Sequence, residues 1–269
     1  ENIREQWKDL KGKDLKGPEE SFKEHGQLID NLISLMRYIG DKSNLILDPD
    51  LDSYYLMDIC LLKMPELTEN ISKLLMTDIL ITADSGSSSV QQAESKSIYG
   101  NSSLQELFAD SDVFRLKIKN ELFIKLKTSL KKAVREDENF YGKSPDLKRN
   151  LETAFNEYEH SLANFLNKSD ELLSDTAHAF NKGAASSENF EEAGMKAITA
   201  GWKFWDIAFD ELEKLLLIRA EEYRQRRLYS LSIASGAFIL AIILFSFILR
   251  GITKPLNLVT KIIIEIAEG

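Results

Sequence analysis

Apolar residues along most of this chain recur at spacings of three and four, the period of a helix that buries one face. The longest such run lies near the C-terminal end of the sequence and is interrupted by one charged residue, Arg219. Alternating spacings of three and four form a heptad seam, so this stretch is predicted to be a long helix that packs along its length. The seam consists of Met195, Ile198, Trp202, Trp205, Phe209, Leu212, Leu216, Arg219 and Tyr223.

The seam leads into an apolar run from Leu228 to Leu249 that contains no charged residue. At a rise of about 1.5 Å per residue, this run is long enough to cross a hydrocarbon core about 30 Å thick. Residues 228–249 are therefore predicted to be a transmembrane helix. Basic residues flank the run on both sides, so their count does not decide its orientation.

A second seam follows the apolar run, after Arg250. A membrane span with helical seams on both sides is suited to carrying a displacement across a bilayer. We therefore expect the residues of this second seam to take part in signalling. They are Pro255, Leu256, Val259, Ile263 and Ile266.

The chain before the apolar run, residues 1–227, is predicted to be all-α, because helical periodicity recurs through it and glycine and proline are scarce. Three reversals of direction would give one four-helix bundle, and five would give six helices. The uneven helix lengths favour six helices in an elongated arrangement of two four-helix bundles stacked end to end. The candidate breaks lie near residues 12–18, 41–47, 84–90, 141–146 and 182–187.

The net charge excludes one class of partner, and the cysteine content bears on the core. A net charge of −9 argues against nucleic acid as a partner, since phosphates would be repelled. Cys60 is the single cysteine and has apolar neighbours, so it is predicted to be a core residue. The sequence begins without methionine and stops within a seam; we interpret it as a fragment and expect another span before Glu1.

Residues 250–269, with the sequence RGITKPLNLVTKIIIEIAEG, resemble the first helix of a HAMP linker. The resemblance rests on Pro255, the seam after it, and Glu268-Gly269. HAMP linkers lie in the cytoplasm, so the resemblance implies that residues 1–227 are extracytoplasmic, in the periplasm of a Gram-negative cell, and that residues 228–249 cross the inner membrane.

A second stretch, Ile39 to Asp58 with Phe22 and His25 upstream, is similar to the helical sensor regions of methyl-accepting chemoreceptors and of sensor or hybrid histidine kinases. The stretch from Trp205 to Arg219 is similar to their last helix before the membrane. These resemblances imply an extracytoplasmic sensor but no particular ligand. Long helical sensors of the bimodular class bind small organic acids or partner proteins.

Four side chains are candidates for ligand binding. Arg37 and Arg115 are the basic residues with the most apolar sequence surroundings, and a buried arginine needs an anion or an internal carboxylate as its partner. Of Tyr54 and Tyr55, one could present its hydroxyl to a ligand between helices, although core packing is the simpler interpretation of both. An internal salt bridge is the simpler interpretation of the arginines.

Metal and catalytic chemistry have weaker support. Asp48, Asp50, Asp52 and Asp58 lack the glycine and distant glutamate of a calcium loop, so we interpret them as helix caps, with Asp48 capping a helix that starts at Pro49. Glu157-x-x-His160 has no second pair on a facing helix, as a di-iron site requires. We expect no metal, no cofactor and no catalysis in these residues.

The sequence therefore predicts a homodimeric transmembrane receptor whose outer helices detect a stimulus, either a small organic ligand or a periplasmic binding protein. The output, for chemotaxis or a two-component kinase, would lie beyond Gly269; a diguanylate cyclase is an alternative, and a purely structural membrane tether would leave the HAMP resemblance unexplained. An enclosed pocket lined by the arginines or tyrosines would favour a small ligand. A solid core with an exposed apolar patch would favour a partner protein.

Overall fold

The computed structural model of this chain describes residues 2–15, 18–45, 48–85, 104–142, 144–179 and 187–269. Every regular element in those ranges is helical, which confirms the all-α class. The α-helices are α1 (Ile3–Gly12), α2 (Pro18–Lys42), α3 (Leu51–Asp58), α4 (Met64–Ser85), α5 (Leu104–Lys117), α6 (Phe123–Glu136), α7 (Leu147–Ala179), α8 (Ser187–Ile248) and α9 (Lys254–Glu268).

Short π-helical turns join several of these helices without ending them. Ile59–Lys63 connects α3 to α4, and Ile118–Leu122 connects α5 to α6. Leu249–Thr253 connects α8 to α9 in the same way. The described residues therefore form six helical rods, the number given by using all five predicted breaks. The breaks predicted near 84–90 and 182–187 fall mostly outside the described residues.

The residues Glu1–Leu215 form one compact unit, and its longer rods run antiparallel to their neighbours. Asp58 on α3 hydrogen-bonds to Ser129 on α6, and Asp78 on α4 hydrogen-bonds to Ser111 on α5. Residue numbers therefore increase along one rod as they decrease along the other, so the α3–α4 and α5–α6 rods are antiparallel. The same relation joins α5–α6 to α7 and joins α7 to the first part of α8. The four rods thus form one up-down-up-down four-helix bundle.

This pairing corrects the expectation of two bundles stacked end to end. The excess length of the last helix was the reason for that expectation. In the structure the excess belongs to the second unit, Leu216–Gly269, and the rods formed by α3–α4, α5–α6 and α7 pair along one another. The two remaining helices are added beside the bundle: α2 packs on the π turn Ile59–Lys63, and α1 packs on α2.

The bundle core is apolar and aromatic, as the periodicity predicted. Helix α3 is buried deeply: Leu56 and Met57 are almost fully inaccessible, and the Cys60 side chain just after it is also buried. Between α6, α7 and α8 lies a group of packed rings. Its members are Phe123, Phe155, Tyr158 and Phe204, with centroids 5.4–6.1 Å apart.

The buried face of α8 differs from the predicted seam. Ile198 and Leu212 are buried as predicted, but Met195, Trp202 and Phe209 are exposed. Small residues occupy much of the face that packs, because α8 lies against bulky rings of α7: a Cβ added at Gly201 would lie 3.1 Å from the Tyr158 ring. The positions of α8 described as buried are Phe190, Ala193, Gly194, Ala197, Ile198, Ala200, Gly201, Phe204, Ala208, Glu211, Leu212, Leu215 and the predicted seam residue Arg219.

The start of α3 also differs from its prediction. The helix begins at Leu51, and Asp50 rather than Asp48 occupies the N-cap position. The Asp48 side chain instead accepts hydrogen bonds from the Asp50 backbone N–H (3.0 Å) and from the Ser53 hydroxyl (2.6 Å). This is a local Asx turn, which aspartate forms readily before a helix.

The second unit, Leu216–Gly269, contains the C-terminal part of α8 and all of α9. The apolar run 228–249 is helical and exposed throughout. By length and composition, the described residues contain one helix able to cross a membrane, with a mean hydropathy of 2.5 in its most apolar window.

Candidate functional site

Arg115 lies inside the bundle and is held by protein side chains. Its guanidinium donates to Asp170 Oδ1 (2.9 Å), to Asp112 Oδ1 (2.7 Å) and to the Ser111 hydroxyl (3.3 Å). Lys119 Nζ adds a hydrogen bond to the second oxygen of Asp170 at 2.6 Å. The internal salt bridge is thus the interpretation of Arg115 that the structure confirms, and its Nη groups point at carboxylates of the chain itself.

Asp78 extends this polar cluster into the core. Its carboxylate is fully buried and accepts hydrogen bonds from the hydroxyls of Ser111 and Ser169. Burial raises the pKa of Asp78, and the two serine hydroxyls and the Arg115 charge only partly oppose that effect. The cluster therefore ties α4, α5 and α7 together through one buried carboxylate.

Arg37 is exposed, so the expectation that it is buried was wrong, and its role in ligand binding stays a prediction. It lies on the exposed side of α2. Its apolar neighbours in sequence are themselves on the surface, because α2 packs against the bundle with only a narrow face. The exposed large apolar residues of α2 are Phe22, Ile29, Leu32, Leu35, Tyr38 and Ile39.

Tyr54 and Tyr55 are half-buried at the start of the bundle and pack on each other edge to face, with centroids 5.3 Å apart. The Lys132 ammonium lies 5.1 Å from the centroid of the Tyr55 ring. These contacts are with other side chains of the chain, as the packing interpretation expected. Among the described residues, neither the two tyrosines nor Arg37 and Arg115 line the two depressions described next.

Two depressions in the described surface are open and lie elsewhere. One depression, of about 540 Å³, lies between α7 and a further π-helical turn, Asp137–Tyr141. Charged side chains such as Asp137, Lys148 and Arg149 line it. Another, of about 460 Å³, lies between α2 and α4 and is lined by Ser21, Phe22, His25 and Met76. The ring N–H of His25 at Nδ1 donates a hydrogen bond to the Ser21 carbonyl at 2.7 Å, within the same helix.

The most specific contact between α8 and the rest of the bundle is made by Trp205. Its indole N–H donates to the backbone carbonyl of Cys60 at 2.9 Å. That carbonyl needs a donor from outside its own helix. Met64 N–H bonds to the Ile59 carbonyl in the π turn, and Pro65 has no N–H to offer. The helix accommodates Pro65 with a π turn, and Trp205 satisfies the carbonyl that this turn frees.

A second polar contact holds α8 to α7 farther along. Glu211 is almost fully buried and accepts hydrogen bonds from Asn150 (2.8 Å), Ser144 (3.1 Å) and Lys214 (2.7 Å). Burial acts to raise the pKa of Glu211, but these three donors outweigh it and lower the pKa below its usual value.. The last bundle helix is therefore fixed at two levels, by Trp205 to α3–α4 and by Glu211 to α7.

The predicted signalling residues lie on α9, which begins at Lys254 directly after the π turn that precedes Pro255. Leu256, Val259, Ile263 and Ile266 are all exposed, at 52–76 % of their accessible surface. Their spacing places them along one face of α9. A helix with an apolar face of this kind needs partners to cover it.

Sequence reasoning missed the roles of Asp78 and Glu211 and the partner of Trp205. Glu211 lies one position before the predicted seam residue Leu212, so a charged residue beside the seam is the signal that could have found it. No local signal marks the Cys60 carbonyl. Only the missing N–H of Pro65 indicates that some carbonyl before it must find another donor.

Comparisons with protein-family models, with curated proteins and with solved structures find no match to this chain.

Proposed function

We propose that this chain is the sensor portion of a transmembrane signal-transduction receptor. The observation that carries the proposal is α8, one helix from Ser187 to Ile248 that begins as a member of the bundle and includes residues 228–248 of the apolar run. A stimulus that alters how α8 packs in the bundle would move the same helix at the membrane. A difference of a few kcal/mol between two packings is enough to shift such an equilibrium.

In this proposal the bundle is extracytoplasmic, in the periplasm, and α8 crosses the inner membrane. Helix α9 is then the first helix of a HAMP linker, and Leu256, Val259, Ile263 and Ile266 are the seam that meets the other HAMP helices. The output would be a chemoreceptor or histidine kinase module, with a diguanylate cyclase as the alternative. The sensor itself is non-catalytic, binds no cofactor and works as a homodimer.

Between the two kinds of stimulus, the geometry favours a partner protein over a small organic ligand. In the described residues Arg115 is already bound to Asp170 and Asp112, and the tyrosines pack on each other. The exposed apolar residues of α2, by contrast, form a surface that a protein could cover. We therefore propose a periplasmic binding protein that docks on α2, beside the turn that Trp205 contacts.

Membrane topology is tested first, by substituting cysteine for exposed residues on each side of the apolar run. Tyr223→Cys should react with a membrane-impermeant maleimide in cells whose outer membrane is permeabilised, and Lys261→Cys should react only after lysis. The buried thiol of Cys60, whose pKa is raised by burial, should remain unlabelled in the native chain. Labelling of Lys261→Cys before lysis would refute the proposed orientation, and equal labelling of both would refute the span.

Transmission of a packing change along α8 is tested by joining residues 1–269 to the cytoplasmic part of a histidine kinase through the HAMP connector of that kinase. Trp205→Phe should change basal kinase activity, because it loosens α8 in the bundle. Ala220→Pro, in the exposed interior of α8, should break the helix and remove that effect, whereas Ala220→Ser should preserve it. If Trp205→Phe acts equally with and without the proline, the continuous helix does not carry the signal.

The proposed docking surface is tested with a photoreactive amino acid at Tyr38, one of the most exposed apolar residues of α2. A protein captured there counts only if, once purified, it binds the membrane-embedded chain and Leu35→Glu weakens that binding. Lys23→Glu, on an exposed polar position of the same helix, is the matched control. Binding of a small metabolite that Leu35→Glu leaves unchanged would favour the small-ligand alternative.

A further inference from the structure

The exposed face of α8 carries an apolar stripe that the bundle leaves uncovered. Met195, Trp202 and Phe209 are exposed at 52 %, 52 % and 37 % of their accessible surface. They are separated by seven residues each, so they lie above one another on a helix. Their neighbours at Ile198 and Leu212 are buried in the bundle, so the stripe runs along the margin of the packed face.

The spacing indicates what covers the stripe. An apolar residue at every seventh position keeps facing the same partner only when that partner is a helix coiled around it at the same period. A globular partner has no need of an exact seven-residue repeat. The stripe is therefore suited to a helix that runs along α8, and copies of α8 itself have the matching repeat.

The continuation of α8 determines the orientation of that partner. Two copies of this chain in one membrane insert in the same direction, so their α8 helices run parallel. A two-fold axis along the membrane normal then brings each stripe residue opposite its own copy, as in a parallel coiled coil. A partner chain of unrelated sequence would match this register only by coincidence.

The rim of the stripe is polar and mixed in charge, and its two lysines are paired within each copy. Lys196 Nζ lies 2.7 Å from a Glu192 oxygen, and Lys203 Nζ lies 2.6 Å from a Glu157 oxygen. Two stripes can therefore approach without bringing unpaired like charges of lysine together. Three side chains cover less than the roughly 800 Å² per partner typical of freely associating proteins. Tethering in one membrane raises the effective concentration and removes that requirement.

We propose that Met195, Trp202 and Phe209 form a parallel seam between the α8 helices of two copies of this chain. The inference rests on the proposed homodimeric receptor and adds the surface through which it pairs. The seam would place the two α8 helices side by side just where Trp205 and Glu211 fix each of them to its own bundle. A change in either bundle would then alter the spacing of the two helices.

Disulfide cross-linking in native membranes tests the seam. Met195→Cys, Trp202→Cys and Phe209→Cys are compared with Lys196→Cys, Lys203→Cys and Asp210→Cys, each one residue farther along and about 100° around the helix. Because a disulfide needs Cβ atoms about 4 Å apart, each stripe variant should form dimers at least about fivefold faster than its neighbour. The native chain, with only buried Cys60, should form none.

Counting copies by single-molecule photobleaching separates failure of the seam from failure of the receptor proposal. A dimer that cross-links no faster at the stripe than at the control positions overturns the seam and leaves homodimerisation intact. A monomer overturns both. Cross-links from the stripe to a different protein also overturn the seam, since they show another occupant. Two independent stripe positions, Met195 and Phe209, keep the test valid if Trp202→Cys does not fold.

Discussion

Replacing Trp205 with phenylalanine tests whether α8 is held in the bundle by the carbonyl that Pro65 leaves without a donor. The substitution removes the indole N–H that lies 2.9 Å from the Cys60 carbonyl and retains an aromatic ring to pack on Phe209. A buried carbonyl left without a partner costs about 1–3 kcal/mol of folding free energy. The loss should therefore be well above the few tenths of a kcal/mol expected for an exposed site.

Pro65→Ala supplies the thermodynamic comparison. Alanine restores a backbone N–H, so the turn Ile59–Lys63 can return to α-helical bonding in which Met64 N–H reaches the Cys60 carbonyl. Trp205→Phe should then cost about 1 kcal/mol less in the Pro65→Ala background than in the native chain. A coupling of this size is within the range found for residues that share one hydrogen-bonding partner.

Both free energies come from thermal or urea unfolding of the full chain in detergent micelles, followed by circular dichroism. A change of 1 kcal/mol corresponds to a shift of about 2–4 °C in Tm for a domain of this size. Trp7→Phe is the matched control, because Trp7 lies on α1 with 43 % of its surface exposed and outside the contacts under test. If Trp205→Phe costs the same in both backgrounds, the proline and the tryptophan are not linked through the carbonyl.

Three further substitutions examine the bundle by the same unfolding measurement. Asp78→Asn should stabilise the protein at neutral pH, because burial raises the folded-state pKa of Asp78 and the charged carboxylate is therefore destabilising there. The gain in stability should shrink as the pH falls and the carboxylate becomes protonated, and a gain that grows on acidification would contradict this reasoning. Gly201→Ala should cost about 1–3 kcal/mol of folding free energy, because the new Cβ would lie 3.1 Å from the buried Tyr158 ring. Gly26→Ala has open space around it and should stabilise α2 by about 0.5–1 kcal/mol. Equal effects of the two substitutions would show that stability does not depend on the close approach of α7 and α8. Tyr158→Phe should leave stability unchanged or raise it by about 1 kcal/mol, because the buried hydroxyl has no hydrogen-bond partner among the described residues. A clear loss of stability would show that the hydroxyl does have such a partner.

The sequence by itself determined the helical class, the number of rods and the apolar run that could cross a membrane. These features depend on local periodicity and on breaks such as Gly142, which ends its rod in the left-handed conformation at φ 56°. Helical period and chain breakers act within a few residues of each other, so they can be read without knowing the fold.

Tertiary structure decided which arginine is buried, which face of α8 packs and what the last helix touches. Arg37 and Arg115 have similar sequence surroundings, but only Arg115 lies on a helix with neighbours on enough sides to enclose it. Helix α8 has enough apolar residues for two faces. The face that packs in the bundle is the one whose glycine and alanine residues let the aromatic rings of α7 approach closely. The Cys60 carbonyl and Trp205 are 145 residues apart in the chain, so only the folded bundle could bring that donor to that acceptor.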